Sequence, residues 1–115
     1  MEEEKKANWL DGIEDRVVEA FRARGLKAVF GAFLPMNGKC CALGALFHDE
    51  FAKVDNGQYT VVVQAATGAT QMEVWDFIYG FDKYIRGIED TRQSPERDAA
   101  RSIVARLNAE GLVAQ

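Results

Sequence analysis

Two adjacent cysteines and the chain's only histidine, Cys40, Cys41 and His48, fall within one short span. A thiol near a helix N-terminus feels free amides and the positive end of the helix dipole, which favour thiolate. That chemistry would suit a cysteine-dependent enzyme or a thiol sensor using Cys40 or Cys41. A cysteine nucleophile also wants a positioned base. His48 lies seven residues beyond Cys41 on the same helical face, and at 1.5 Å per residue the separation along a helix is roughly 10 Å. No Cys–His pair can form within that helix. Adjacent residues sit about 3.8 Å apart at Cα, too close for an unstrained disulfide, so both thiols are read as reduced. Two cysteines and one histidine are too few for a structural zinc site, and no metal or cofactor is expected. The competing reading makes Cys40 and Cys41 small core residues, since free cysteine is among the most buried types. His48 could be a pH switch or ligand, or a half-buried side chain with a satisfied ring nitrogen.

Glu73, Asp76 and Asp82 could gather carboxylates for a metal or for acid–base work. However, Glu73 has the spacing of a helix cap, and Asp76 and Asp82 are six residues apart and share no helix face. A solvated face is the simpler expectation. Trp75, Phe77, Tyr79, Phe81 and Tyr84 carry more aromatic surface than one buried stripe needs. A thick core, a dimer interface or a partner groove would each absorb it. The binding candidates are Trp75, Tyr79 and Tyr84 on that helix, with Phe33 and Met36 near a turn. Arg86, Arg92, Arg97, Arg101 and Arg106 are interleaved with Glu89, Asp90, Glu96 and Asp98, a pattern of salt-laced solvent faces. The chain has no P-loop, dinucleotide fingerprint, metal-binding histidine pair or nucleophile elbow.

The elements that position these residues belong to a chain of 115 residues, 48% hydrophobic and 28% charged, a globular balance suited to one core. Residues 1–7 read as a flexible charged N-terminus and 8–115 as a single compact domain. The net charge of −4 argues against a nucleic-acid partner, which would want a basic surface. No apolar run approaches the ~18 residues of a membrane helix, and Met1–Lys6 leads into no signal-peptide core, so a cytoplasmic location away from membranes is expected.

Asn8 has the position of an N-cap, and Leu10, Ile13, Val17, Ala20 and Phe21 follow at helical spacing, predicting a helix from Trp9 to Arg24 that stops at Gly25. The aromatic and β-branched run Val29–Leu34, Pro35 and the Asn37-Gly38 turn signal predict a β-hairpin returning through Lys39–Cys41. From Cys40 the stripe Cys40, Leu43, Phe47, Phe51 and Val54 predicts a central helix, with Ala42, Gly44 and Ala45 allowing close approach. Tyr59–Val63 has strand propensity, but Asp55 and Gln58 have capping-box spacing, and a helix over 56–67 is preferred. Thr70-Gln71-Met72-Glu73 is a clearer capping box, opening a helix that Gly80 interrupts and Gly87 ends. Ser94-Pro95-Glu96 opens the last helix, and Gly111 ends it. The fold class is mainly α (α+β): about five helices around a central helix, with one short hairpin.

The run Cys41-Ala42-Leu43-Gly44-Ala45-Leu46, after a turn and a lysine, resembles the CALGAL motif of small uncharacterised proteins of bacteria and phages. In those proteins a Gly-Leu-Thr or Gly-Leu-Ser cap, a Glu-Val helix start and an Asn-Asp pair follow. Here Gly68-Ala69-Thr70, Glu73-Val74 and Asp82 stand at the matching places, with Ala69 for leucine and Phe81 for asparagine. The resemblance implies a compact, mainly helical fold and no catalytic residue.

The function expected is a non-catalytic protein-interaction module that binds a protein partner or a second copy of itself. The resemblance adds a phage-related accessory role toward a host factor. The alternatives are the cysteine chemistry above, and a small-molecule binder with its pocket between the hairpin and the Cys40–Phe51 stripe.

Overall fold

The computed structural model describes residues 8–54 and 58–114. The charged segment 1–7 and the proposed cap at Asp55 lie outside the described residues. The chain is mainly helical with a small β element, and each helix boundary can be traced to a local cause.

Asn8 does act at the chain's first turn: its Oδ1 accepts the Leu10 N–H at 2.9 Å. The helix does not start there, because Gly12 takes a left-handed conformation (φ 71°) and α1 runs Ile13–Arg24. Gly25 (φ 66°) closes it as expected. Ile13, Val17, Val18 and Phe21 form its buried face.

The β element differs from the hairpin read in the sequence. Asn37 (φ 54°) and Gly38 (φ 77°) both take positive φ, the signature of a type I′ turn. Met36 and Lys39 exchange backbone hydrogen bonds across it at 2.9 and 3.1 Å. The hairpin stops after that single pair. The outgoing strand β2 (Lys39–Cys40) pairs in parallel with β1 (Lys27–Ala28). Residues 29–35 form no strand: Gly31 bends the chain at φ 78°, and Pro35 has no N–H to give a ladder. On the other edge of β1, Ala28 bonds through its N–H to Leu112 O (2.7 Å) and through its carbonyl to Ala114 N–H (2.9 Å). The expected tuck of Leu112 and Val113 is therefore a third, parallel partner.

The helix launched by the turn is broken. α2 (Ala42–Leu46) and α3 (His48–Phe51) meet at Phe47, whose φ of −108° and ψ of 32° leave the helical region. The break leaves Phe47 and Phe51 both buried, with rings stacked at 6.0 Å. Gly44 is required here. A Cβ on it would lie 2.4 Å from the Phe33 carbonyl oxygen, so the close approach is made by the 29–35 loop rather than by another helix.

α4 spans Tyr59–Thr67, so the strand alternative gives way to the helical spacing, and Gly68 (φ 79°) ends it. α5 (Gln71–Ile85) opens with the complete Thr70–Glu73 capping box. It continues through Gly80, which makes room for α6 (Pro95–Ala109): a Cβ there would meet Arg97 Cδ at 3.1 Å and Ala100 Cβ at 3.4 Å. Ser94 caps α6 by accepting the Arg97 N–H at 3.1 Å. α5 against α6 is the most extensive helix pairing, and α1 packs on α2 and α6. Phe21, Leu43, Phe51, Phe77, Phe81, Ile103 and Leu107 are the large side chains fully buried between them.

Candidate functional site

Cys40 is the last residue of β2 and is fully buried; Cys41, nearly so, is the N-cap of α2, its Sγ accepting the Gly44 N–H at 3.4 Å. Burial pushes the Cys40 thiol up to about 11, with the Arg24 charge pulling weakly the other way. Burial pushes Cys41 up to about 12, opposed by hydrogen bonds from the Gly44 and Leu43 amides. The helix end does act on Cys41, but α2 is short and desolvation wins. His48 is half-buried with a partnered ring nitrogen, as one of its two sequence readings has it: its Nδ1 is 3.1 Å from Arg24 Nη1 and 3.2 Å from Asp49 Oδ1.

The three carboxylates are not brought together. Glu73 accepts the Thr70 N–H at 2.8 Å in the capping box. Asp76 faces α6 and accepts from Arg97 Nε and Nη2, both at 3.3 Å. Asp82 points to the 29–35 loop and accepts the Gly31 N–H; burial raises its pKa, while that bond and the Arg86 charge oppose the shift. Among the described residues no group of three or more histidine, cysteine or acidic side chains is placed to hold a metal ion.

The aromatic side chains of α5 divide among three faces. Phe77, Gly80 and Phe81 turn inward. Tyr84 belongs to the α6 side, where its hydroxyl accepts from Arg101 Nη2 at 2.9 Å and the Arg101 guanidinium lies 5.1 Å over its ring. Trp75, Tyr79, Asp82 and Arg86 recur at steps of four, three and four and form another stripe. Trp75 and Tyr79 stack with centroids 5.4 Å apart, and Tyr79 is 52% exposed. A shallow cleft of about 350 Å³ opens on one side of the stack, lined by Gln71, Met72, Trp75 and Tyr79, with Met72 78% exposed.

On the other side lies a narrower slot of about 200 Å³, walled by Phe33, Trp75, Ile78, Tyr79 and Asp82, with Cys41 also lining it. Phe33 is half-buried, stacked on Tyr59 at 5.0 Å and edge-on to Phe51 at 5.8 Å. Met36 sits beside the turn and is 69% exposed. Of the five binding candidates, the structure thus joins Trp75, Tyr79 and Phe33 around one slot and puts Tyr84 on another face.

Sequence reasoning missed two features. Asp82 enters the aromatic slot because a loop far away in sequence folds beside it, and no local signal marks that. The second is a buried ion network: Arg97 Nη1 donates to Asp90 Oδ2, Lys83 Nζ lies 3.6 Å from Asp90 Oδ1, and Asp90 and Arg97 are both buried. The Arg–Asp interleaving hinted at pairing but suggested solvent. No helix among the described residues is long and apolar enough to cross a membrane. No protein-family model, curated protein or solved structure matches the chain.

Proposed function

We propose that this chain is a non-catalytic protein-interaction module that docks a segment of a partner protein across the Trp75–Tyr79 stack. The observation that carries the reading is the stack itself, a half-buried Trp75 ring and an exposed Tyr79 ring held between two clefts, with Met72 exposed beside them. Aromatic side chains and methionine are enriched where proteins meet, and clefts flanking a rigid ring pair give anchor side chains a place to bury. Burial of both thiols and their raised pKa values favour this reading over the cysteine enzyme.

The test is a comparison of surfaces. Tyr79→Glu places a charge on the docking face, and Ser102→Glu places one on an exposed position of α6. A discrete partner retained by the wild type and by Ser102→Glu, but lost with Tyr79→Glu at unchanged thermal stability, is the expected result. Equal retention by all three, or concentration-dependent dimerisation that Tyr79→Glu abolishes, would overturn the assignment of a partner segment to this face.

A further inference from the structure

The narrow slot has a chemical specificity that the exposed stack alone does not imply. We infer, resting on the docking reading above, that it receives an arginine side chain of the partner segment.

Trp75, Tyr79 and Phe33 are among the residues lining the slot, the Trp75 and Tyr79 rings stacked on each other and the Phe33 ring stacked on Tyr59, and the one acidic residue lining it is Asp82. A cation beside aromatic rings is attracted by their quadrupoles, and more so where water is excluded. Asp82 adds a half-buried carboxyl group at the same place. That carboxylate makes no ion pair among the described residues. Its backbone partner is Gly31, which leaves acceptor capacity unused. The cation one turn further on, Arg86, acts on Asp82 through its charge but forms no ion pair with it, its guanidinium lying over the Phe30 ring, 5.0 Å from the centroid.

Arginine fits better than lysine on shape. A planar guanidinium can stack on a ring while its fork of N–H donors reaches a carboxylate, and it is more weakly hydrated than an ammonium. The chain already uses this chemistry internally, at Arg101 on Tyr84 and Arg86 on Phe30. The walls of the slot are otherwise apolar, which suits the aliphatic stem of the incoming side chain. The wider Met72 cleft across the stack offers no charge and would take an apolar neighbour of that arginine.

The experiment titrates ¹⁵N-labelled full-length protein with blocked pentapeptides Gly-Ala-Xaa-Ala-Gly. Xaa is arginine, its neutral isostere citrulline, lysine or leucine. The expected result at millimolar peptide is perturbation of the Trp75 indole N–H and the Gly31 and Tyr79 amides by the arginine peptide. Citrulline should bind at least about tenfold more weakly, as loss of a charge-assisted contact requires, and Asp82→Asn should weaken the arginine peptide to a similar degree. Lysine should fall between.

Equal binding of arginine and citrulline by the wild type would overturn the proposal, and this arm does not depend on the Asp82→Asn variant folding. Perturbation mapping away from the slot, or none at all with the arginine peptide, would also overturn it. Preferential binding of leucine at the same amides would remove the arginine specificity and leave the docking surface standing. The docking reading itself falls only by the Tyr79→Glu comparison.

Discussion

Cys40 and Cys41 show how burial decides what a reactive residue type does. A thiol reacts as its thiolate, and with a pKa of about 11 only about one Cys40 in a thousand is ionised at pH 8. Cys41, at about 12, is ionised less still. Native alkylation at pH 8 should therefore run at least about two orders of magnitude slower than in denaturant, where the thiols return to an ordinary pKa. Rapid native labelling of either residue would restore the thiol chemistry. The same shifts set a pH dependence of stability. A raised thiol pKa contributes stability that is present below the ordinary value of 9.0 and is lost as pH rises through the folded value. Thermal stability should fall between pH 9 and 11, and Cys40→Ala should flatten that fall. The adjacent position of the two cysteines was legible in the sequence; their surroundings were not, because the Phe33 carbonyl that presses on Gly44 comes from a separate segment.

At the scale of elements, α5 and α6 are joined by more than apolar packing. Arg97 is buried between Asp76 on α5 and Asp90 in the connection to α6, and Gly80 clears the space for its stem. Removing one partner of such a network leaves a buried charge uncompensated, so Arg97→Ala should cost about 3–5 kcal/mol in chemical denaturation. The double variant Arg97→Met with Asp90→Leu should cost less than Arg97→Met alone, because it removes both buried charges together. A double variant less stable than the single one would show that Asp90 stabilises the fold without Arg97, through Lys83 and the Arg92 N–H. The helices themselves were readable with less ambiguity. Thr70 and Glu73, and Ser94 with Pro95, form caps whose bonds close within three residues. In the sequence Gly80 looks like an interruption, because only α6, seventeen residues or more away, shows what its missing side chain is for.

Across the whole molecule, the two ends of the described chain are tied to its middle. Ala28 pairs with Cys40 on one side and with Val113 on the other, and the Arg106 guanidinium reaches Glu14 and Asp15 of α1 at 3.3 and 2.6 Å. Deleting residues 112–115 leaves the buried Ala28 N–H without its acceptor and removes the cover from β1. The expected loss is at least about 1–3 kcal/mol, the cost of an orphaned buried donor. Amide exchange should show faster opening at Ala28 and Cys40 in the truncated chain, and unchanged protection there would separate the C-terminal segment from the core.

The sequence by itself determined the local events. The positive-φ Asn37-Gly38 turn, the caps at Thr70 and Ser94, the glycine stops and the apolar stripes all depend on neighbours within a few residues, so residue type and spacing suffice to specify them. Tertiary structure alone decided the rest. Whether the strand after the turn pairs with its own hairpin arm or with Lys27–Ala28 depends on which distant N–H and carbonyl groups meet. The meeting of Asp82 with Phe33, Trp75 and Tyr79 depends on a loop docking against α5. Long-range pairing, desolvation and steric exclusion act between segments far apart in the chain, and no short window of sequence carries them.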